Sequence, residues 1–117
     1  MAEAPYAYAG LDRLFHERAR LGIVTSLAGH VDGLGFSELK ALCGLTDGNL
    51  NRHLAVLEEA GLVTLDKGYT GKRPLTRCQL TDAGRLRFAE YLEVLQDVLR
   101  KASRVGAVGR GLNEEPA

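Results

Sequence analysis

A polar segment near the middle of the chain carries side chains that can read the edges of nucleic-acid bases. Residues 46–53 read TDGNLNRH and contain few good helix formers. Asparagine can pair with adenine through two hydrogen bonds, and arginine can pair with guanine in the same way. This composition favours a base-reading surface over an ordinary solvated helix face. The residues predicted to contact DNA here are Thr46, Asn49, Asn51, Arg52 and His53.

Two residues of this segment complicate the prediction. The acidic side chain of Asp47 would be repelled by phosphate, so it either serves the helix N-terminus or accepts a hydrogen bond from cytosine. His53 either reaches a phosphate or fills a half-buried position in the core. The sequence does not decide between these two roles of His53.

A second group of basic residues lies in a turn-rich stretch, residues 67–77, which we call the wing. It contains four basic residues and no acidic one, and these would repel one another without an anionic partner. Lysine pairs with phosphate and arginine is attracted to narrow minor grooves, so contact with DNA is favoured over an ordinary charged turn. The wing residues predicted to bind DNA are Lys67, Tyr69, Lys72, Arg73 and Arg77.

Other kinds of chemistry find no support in the sequence. No glycine-rich phosphate loop follows a strand, no serine or cysteine nucleophile has an evident base, and no ligand cluster has metal-binding spacing. Cys43 and Cys78 each lie on an apolar phase, which predicts core positions. We therefore expect neither an enzyme nor a cofactor or metal site.

The periodicity predicts the elements that position these residues. Apolar residues recur at three- and four-residue steps from residue 11 to 28, and shorter helices follow, one bounded by Ser37 and Gly44 and one over 47–60. Alternation predicts two strands around the wing, and Thr81 predicts the N-cap of a last helix over 81–104. The expected fold is mainly α with a small β-hairpin, an α+β winged helix-turn-helix of order α-α-α-β-β-α.

Length and composition agree with one domain. The 117 residues are 45% hydrophobic and carry zero net charge. We expect a flexible arm over residues 1–9, a domain over 10–104 and a flexible tail over 105–117. No signal peptide opens the chain and no apolar run approaches the ~18 residues of a membrane span, so the expected location is the cytoplasm, without a membrane partner.

The last helix carries more apolar surface than a small domain can cover. Several of its apolar residues are spaced by seven, as in a coiled coil. An exposed stripe of this size predicts a homodimer, in which the first helix also takes part. The predicted interface residues are Leu14, Leu21, Phe88, Tyr91, Leu92, Leu95, Val98, Leu99 and Ala102.

Three segments resemble a known group of regulators. Residues 38–46 (ELKALCGLT) and 50–63 (LNRHLAVLEEAGLV) resemble the helix-turn-helix of the ArsR and MarR groups of bacterial and archaeal regulators. Residues 80–85 (LTDAGR) resemble the segment that follows their wing. The compact arrangement is most similar to small stand-alone winged-helix proteins of this superfamily.

The resemblance implies a homodimeric, sequence-specific transcriptional repressor. Helix 47–60 would lie in the major groove and the wing would lie on the backbone or in the minor groove of double-stranded DNA. A regulator that responds to an unknown small-molecule effector, bound between the first and last helices, is a further hypothesis that the sequence does not decide. Ala55 departs from the group, which often has a basic residue there. The zero net charge favours the alternative, a winged helix that binds proteins and does not contact DNA.

Overall fold

The computed structural model describes the backbone of residues 4–112 and the side chains of residues 4–104. Its elements are α1 (Arg18–Ala28), β1 (Leu34–Gly35), α2 (Phe36–Cys43), α3 (Asp47–Glu59), β2 (Val63–Thr70), β3 (Arg73–Leu80) and α4 (Asp82–Leu112). This confirms the predicted winged-helix class and adds one short strand, β1. No helix in the described part of the chain combines the length and apolarity that a membrane span requires.

The first helix starts later than its apolar spacing predicted. Residues 11–17 form turns, in which the Asp12 carboxylate accepts a hydrogen bond from the Leu14 backbone N–H at 3.0 Å. Glu17 is the N-cap of α1, and its carboxylate accepts from the backbone N–H of Arg20 at 2.8 Å. Phe15 is nevertheless fully buried. The apolar pattern thus predicted burial correctly and helical structure wrongly, because acidic side chains satisfy the backbone locally.

The start of α2 also differs from the prediction. Its N-cap is Gly35, and Ser37 lies inside the helix instead. The Glu38 carboxylate accepts from the backbone N–H of Gly35 at 2.8 Å, as in a capping box. Gly35 pairs with β3 as part of β1, so the sheet and the helix meet at this residue.

Three further helix ends agree with the sequence. Gly44 ends α2 in the left-handed conformation, with φ of 63°. Thr46 caps α3 by accepting from the Asn49 N–H at 3.2 Å. Thr81 caps α4 by accepting from the Gly84 N–H at 2.9 Å.

The sheet is antiparallel with strand order β1-β3-β2. The β2–β3 pairing runs from Val63 opposite Leu80 to Thr70 opposite Arg73, which leaves only two residues in the turn. Gly71, the first of them, has φ of 64°, a conformation that two-residue hairpin turns favour for glycine. The wing was predicted as a turn-rich stretch between two short strands, and this is wrong, since strand pairing continues almost to the end of the hairpin.

The aromatic part of the core lies where α4 crosses the segment before α1. The Phe15 ring packs against Phe88 and Tyr91 with centroid separations of 5.3 and 5.6 Å. The Tyr91 hydroxyl also hydrogen-bonds His16 Nδ1 at 2.8 Å. Cys78 is buried as predicted, and its burial raises the pKa of the thiol to about 11.

Both predicted termini differ from expectation where the structure describes them. In the predicted flexible arm, the Pro5 carbonyl accepts from Lys101 Nζ at 2.8 Å, and this ammonium lies 5.5 and 5.4 Å from the ring centroids of Tyr6 and Tyr8. At the other end, α4 continues to Leu112, beyond the predicted end at 104. Each glycine there lowers helix propensity on its own, and no proline lies between Asp82 and Pro116 to end the helix. Residues 113–117 of the predicted tail lie outside the described part.

Candidate nucleic-acid interface

The two faces of α3 separate core residues from polar residues. Leu50, Leu54 and Leu57 are buried, whereas the predicted DNA contacts Asn49, Asn51 and Arg52 are exposed, as is the N-cap Thr46. Leucines at this spacing share one side of a helix and leave the other side free. Within residues 4–104, the Arg52 guanidinium takes part in no ion pair or hydrogen bond. This face of α3 can therefore meet a ligand without breaking contacts of its own.

Asp47 has a role that the sequence did not predict. Its carboxylate lies 2.9 Å from Lys40 Nζ, so an ion pair joins α2 to the first turn of α3. Both side chains are largely exposed, and such pairs contribute little to stability. The pair does offset the negative charge that Asp47 would otherwise present beside the exposed asparagines.

His53 lies on the inner side of α3 and is only 8% exposed. Its Nδ1 is 3.1 Å from Nη1 of Arg20, on α1. His53 is thus largely buried, and its Nδ1 has a hydrogen-bond partner within the protein. Contact of His53 with a phosphate stays a prediction.

The outer half of the β2–β3 hairpin is exposed on both faces. Lys67, Tyr69, Lys72 and Arg73 all lie there, and the Tyr69 side chain is 75% exposed. A sheet normally buries at least one face against a core. A two-stranded extension with neither face covered is suited to contact another molecule.

Arg77, at the base of this hairpin, differs from the other wing residues. Its Nη1 donates to the carbonyls of Asp32 and Gly33 at 3.1 and 3.2 Å. Arg77 therefore ties the loop after α1 to β3. A contact of Arg77 with DNA, as predicted, would have to share or replace these hydrogen bonds.

A polar groove of about 440 Å³ separates α1 from the α2–α3 turn and from α3. Arg18 and Glu17 line one wall, and Asn49, Arg52 and His53 line the other. Neither Arg18 nor Arg20 was predicted from the sequence as a site residue. The available signal was the HERAR segment, residues 16–20, which places two arginines on one stretch of the first predicted helix.

The predicted dimer interface divides into buried and exposed residues. Phe88 and Tyr91 are 6% and 1% exposed and belong to the core of the monomer, so they offer no surface to a partner. Their helical spacing reflects packing against Phe15 within the monomer, because this part of the α4 face covers the Phe15 ring. Leu14, Leu21, Leu95 and Val98 are half-buried, and the exposed members are Leu92, Leu99 and Ala102.

Comparison with known proteins agrees with this architecture. The family model of a winged helix DNA-binding domain matches residues 19–99. An uncharacterized protein of Methanocaldococcus jannaschii is 38% identical over 85 residues, which are 72% of this chain and 91% of the relative.

Solved structures of transcriptional regulators resemble the chain as well. A transcriptional regulator homologue from Pyrococcus horikoshii has a TM-score of 0.71 and 32% identity, over 78% of this chain and 89% of the other. A transcriptional regulator of Mycobacterium tuberculosis, solved in complex with DNA, has a TM-score of 0.62 and 20% identity. That similarity covers 92% of this chain and 85% of the other and shows a shared fold.

Proposed function

The chain belongs to the winged helix DNA-binding domain family, and from this membership we propose that it is a homodimeric transcriptional repressor that binds specific sequences in double-stranded DNA. In this proposal α3 lies in the major groove, where Asn49 and Arg52 read base edges. The β2–β3 hairpin lies along the backbone or in the minor groove. The similarity to the regulator homologue of Pyrococcus horikoshii supports the regulatory role.

One observation carries the proposal most directly. The exposed polar face of α3 is followed in the chain by the β2–β3 hairpin, which is uncovered on both faces. Both elements carry arginine or lysine side chains that form no ion pair among residues 4–104. Local basic charge of this kind compensates for the zero net charge of the whole chain, because phosphate contacts depend on charge near the interface.

Replacing Arg52 tests whether α3 reads bases. Arg52→Ala should weaken binding to the preferred DNA site by about 1–3 kcal/mol, and binding to random DNA by less. Arg52→Lys is the matched control, since it keeps the charge and loses the planar fork that pairs with guanine. Fluorescence anisotropy with a selected duplex and a scrambled duplex measures both effects.

Two outcomes of this titration would count against the proposal. Equal losses on both duplexes, restored by Arg52→Lys, would make Arg52 a backbone contact. If the parent chain binds neither duplex at low salt, DNA binding itself fails, and the protein-interaction alternative takes its place.

The wing should contribute charge and little sequence preference. The Lys72→Ala, Arg73→Ala double variant should lower the slope of log affinity against log salt by about two, since each lost phosphate contact removes about one. As a control, Arg104→Ala removes an exposed basic side chain from α4 and should leave the slope unchanged. A double variant with the parent slope would show that the hairpin tip does not touch phosphate.

A further inference from the structure

The groove between α1 and α3 combines hydrogen-bond donors and positive charge. We propose that it binds a phosphate group of the DNA backbone through Arg18 and the Nε2–H of His53, and that Arg20 is the positioning residue that keeps this proton on Nε2. The inference rests on the proposed function, and it adds a ligand-binding role for α1 and a defined proton position for His53, whose contact with phosphate the sequence had left open.

Hydrogen bonding determines which nitrogen of His53 carries the proton. Arginine has donors and no acceptor, so the 3.1 Å contact requires Nδ1 of His53 to accept from Arg20 Nη1. A neutral imidazole that accepts at Nδ1 carries its proton at Nε2. His53 therefore presents a donor at Nε2.

Arg20 is itself held in place. Its Nε donates to the Leu14 carbonyl at 2.8 Å, and its Nη2 donates to the Arg13 carbonyl at 3.3 Å. These bonds anchor the guanidinium to the turns before α1. The orientation of His53 on α3 is thus coupled to a segment more than thirty residues earlier in the chain.

The Nε2 atom of His53 is accessible to a ligand. Among the described side chains, no fully enclosed nitrogen or oxygen lacks a hydrogen-bond partner. The structure gives Nε2 no protein partner in this part of the chain, so Nε2 must meet solvent. Since His53 is one of the residues that line the groove, we infer that Nε2 is exposed there.

The charges around His53 favour an anion. Glu17 lies 3.9 Å from both His53 Nδ1 and Arg20 Nη1. The backbone N–H of Arg20 lowers the pKa of the Glu17 carboxyl, which therefore stays ionised and offsets the charge of Arg20. The Cys43 thiol also lines the groove. Arg18 and Arg52 form no ion pair within residues 4–104, and they leave the groove with uncompensated positive charge.

The position of the groove indicates which anion it meets. Arg52 and Asn49 belong both to the groove wall and to the exposed face of α3. A duplex that brings bases to this face would bring its backbone next to the groove. Arginine and a neutral N–H donor together suit a phosphate oxygen pair, in which the guanidinium supplies the charge-assisted bonds.

Nuclear magnetic resonance of the ¹⁵N-labelled full chain tests the proton position and the ligand together. The His53 ring signals, assigned with His53→Gln, should show protonated Nε2 and unprotonated Nδ1 in the free protein. Arg20→Met should mix the two tautomers. Adding duplex DNA should shift the Nε2 signal. In a separate titration, Arg18→Gln should lower the slope of log DNA affinity against log salt by about one, whereas Arg18→Lys should keep the parent slope.

The outcomes separate this inference from the proposed function. A Nε2 shift with inorganic phosphate alone, without DNA binding, would support the phosphate site and reject the DNA backbone as its source. DNA binding without a Nε2 shift and with the parent slope in Arg18→Gln would overturn the inference and leave the proposed function standing. A free protein with the proton on Nδ1 would overturn the positioning role of Arg20. If Arg20→Met fails to fold, the Arg18→Gln and Arg18→Lys variants still test the phosphate contact, and the parent spectra still show which nitrogen of His53 carries the proton.

Discussion

Gly84→Ala should destabilise the protein by about 3 kcal/mol or more, a large part of the 5–15 kcal/mol that ordinary domains possess. A Cβ atom at position 84 would collide with the backbone of Leu62, whose carbonyl carbon would lie only 3.1 Å away. The same carbonyl group accepts from the Thr81 N–H at 3.0 Å, so it cannot move away without loss of that bond. The start of α4 would have to shift, and with it Phe88 in the core.

Gly48→Ala is the matched control for this prediction. Gly48 lies in the first turn of α3, and an added Cβ would have no atom within 4 Å. Alanine there should stabilise the protein by about 0.5–1 kcal/mol, because it restricts the unfolded chain and favours the helix. Urea unfolding followed by circular dichroism measures both variants. Equal midpoints for Gly84→Ala and the parent would contradict the close approach of α4 to Leu62.

Leu99→Glu should convert the proposed dimer into monomers and lower DNA affinity by about a hundredfold or more, since linked half-sites gain affinity from a high effective concentration. Leu99 is 58% exposed, so glutamate there costs the monomer little. In a dimer the same carboxylate would be buried without a partner, which is strongly unfavourable. The nearby basic residues Lys101 and Arg100 already pair with Asp97 on the same helix, at 3.1 Å each, so they are not free to pair with the new carboxylate.

Leu42→Glu provides a control of equal exposure. Leu42, on α2, is 59% exposed and is not part of the proposed interface. Sedimentation velocity should find the parent and Leu42→Glu as dimers and Leu99→Glu as a monomer. A parent chain that is monomeric at tens of micromolar would end the dimer proposal, and a dimeric Leu99→Glu would place the interface elsewhere.

Interactions within a few residues account for what could be predicted from the sequence. The capping side chains of Thr46 and Thr81 and the left-handed Gly44 act over one helical turn, so residue type and spacing suffice to identify them. The spacing of the buried leucines of α3 is likewise visible in the sequence. The order of the main elements, and hence the winged-helix class, follows from such local signals.

Contacts between distant residues decided the rest. Sequence periodicity could not separate a face of α4 that covers Phe15 from one that covers a partner, so Phe88 and Tyr91 were assigned to the wrong surface. The strand β1 exists only because Leu34 meets Cys78. The hydrogen bond that orients His53 comes from Arg20, on another helix. The periodicity of apolar residues along a chain indicates which side chains become buried. Which group covers each buried side chain depends on how the elements pack in three dimensions.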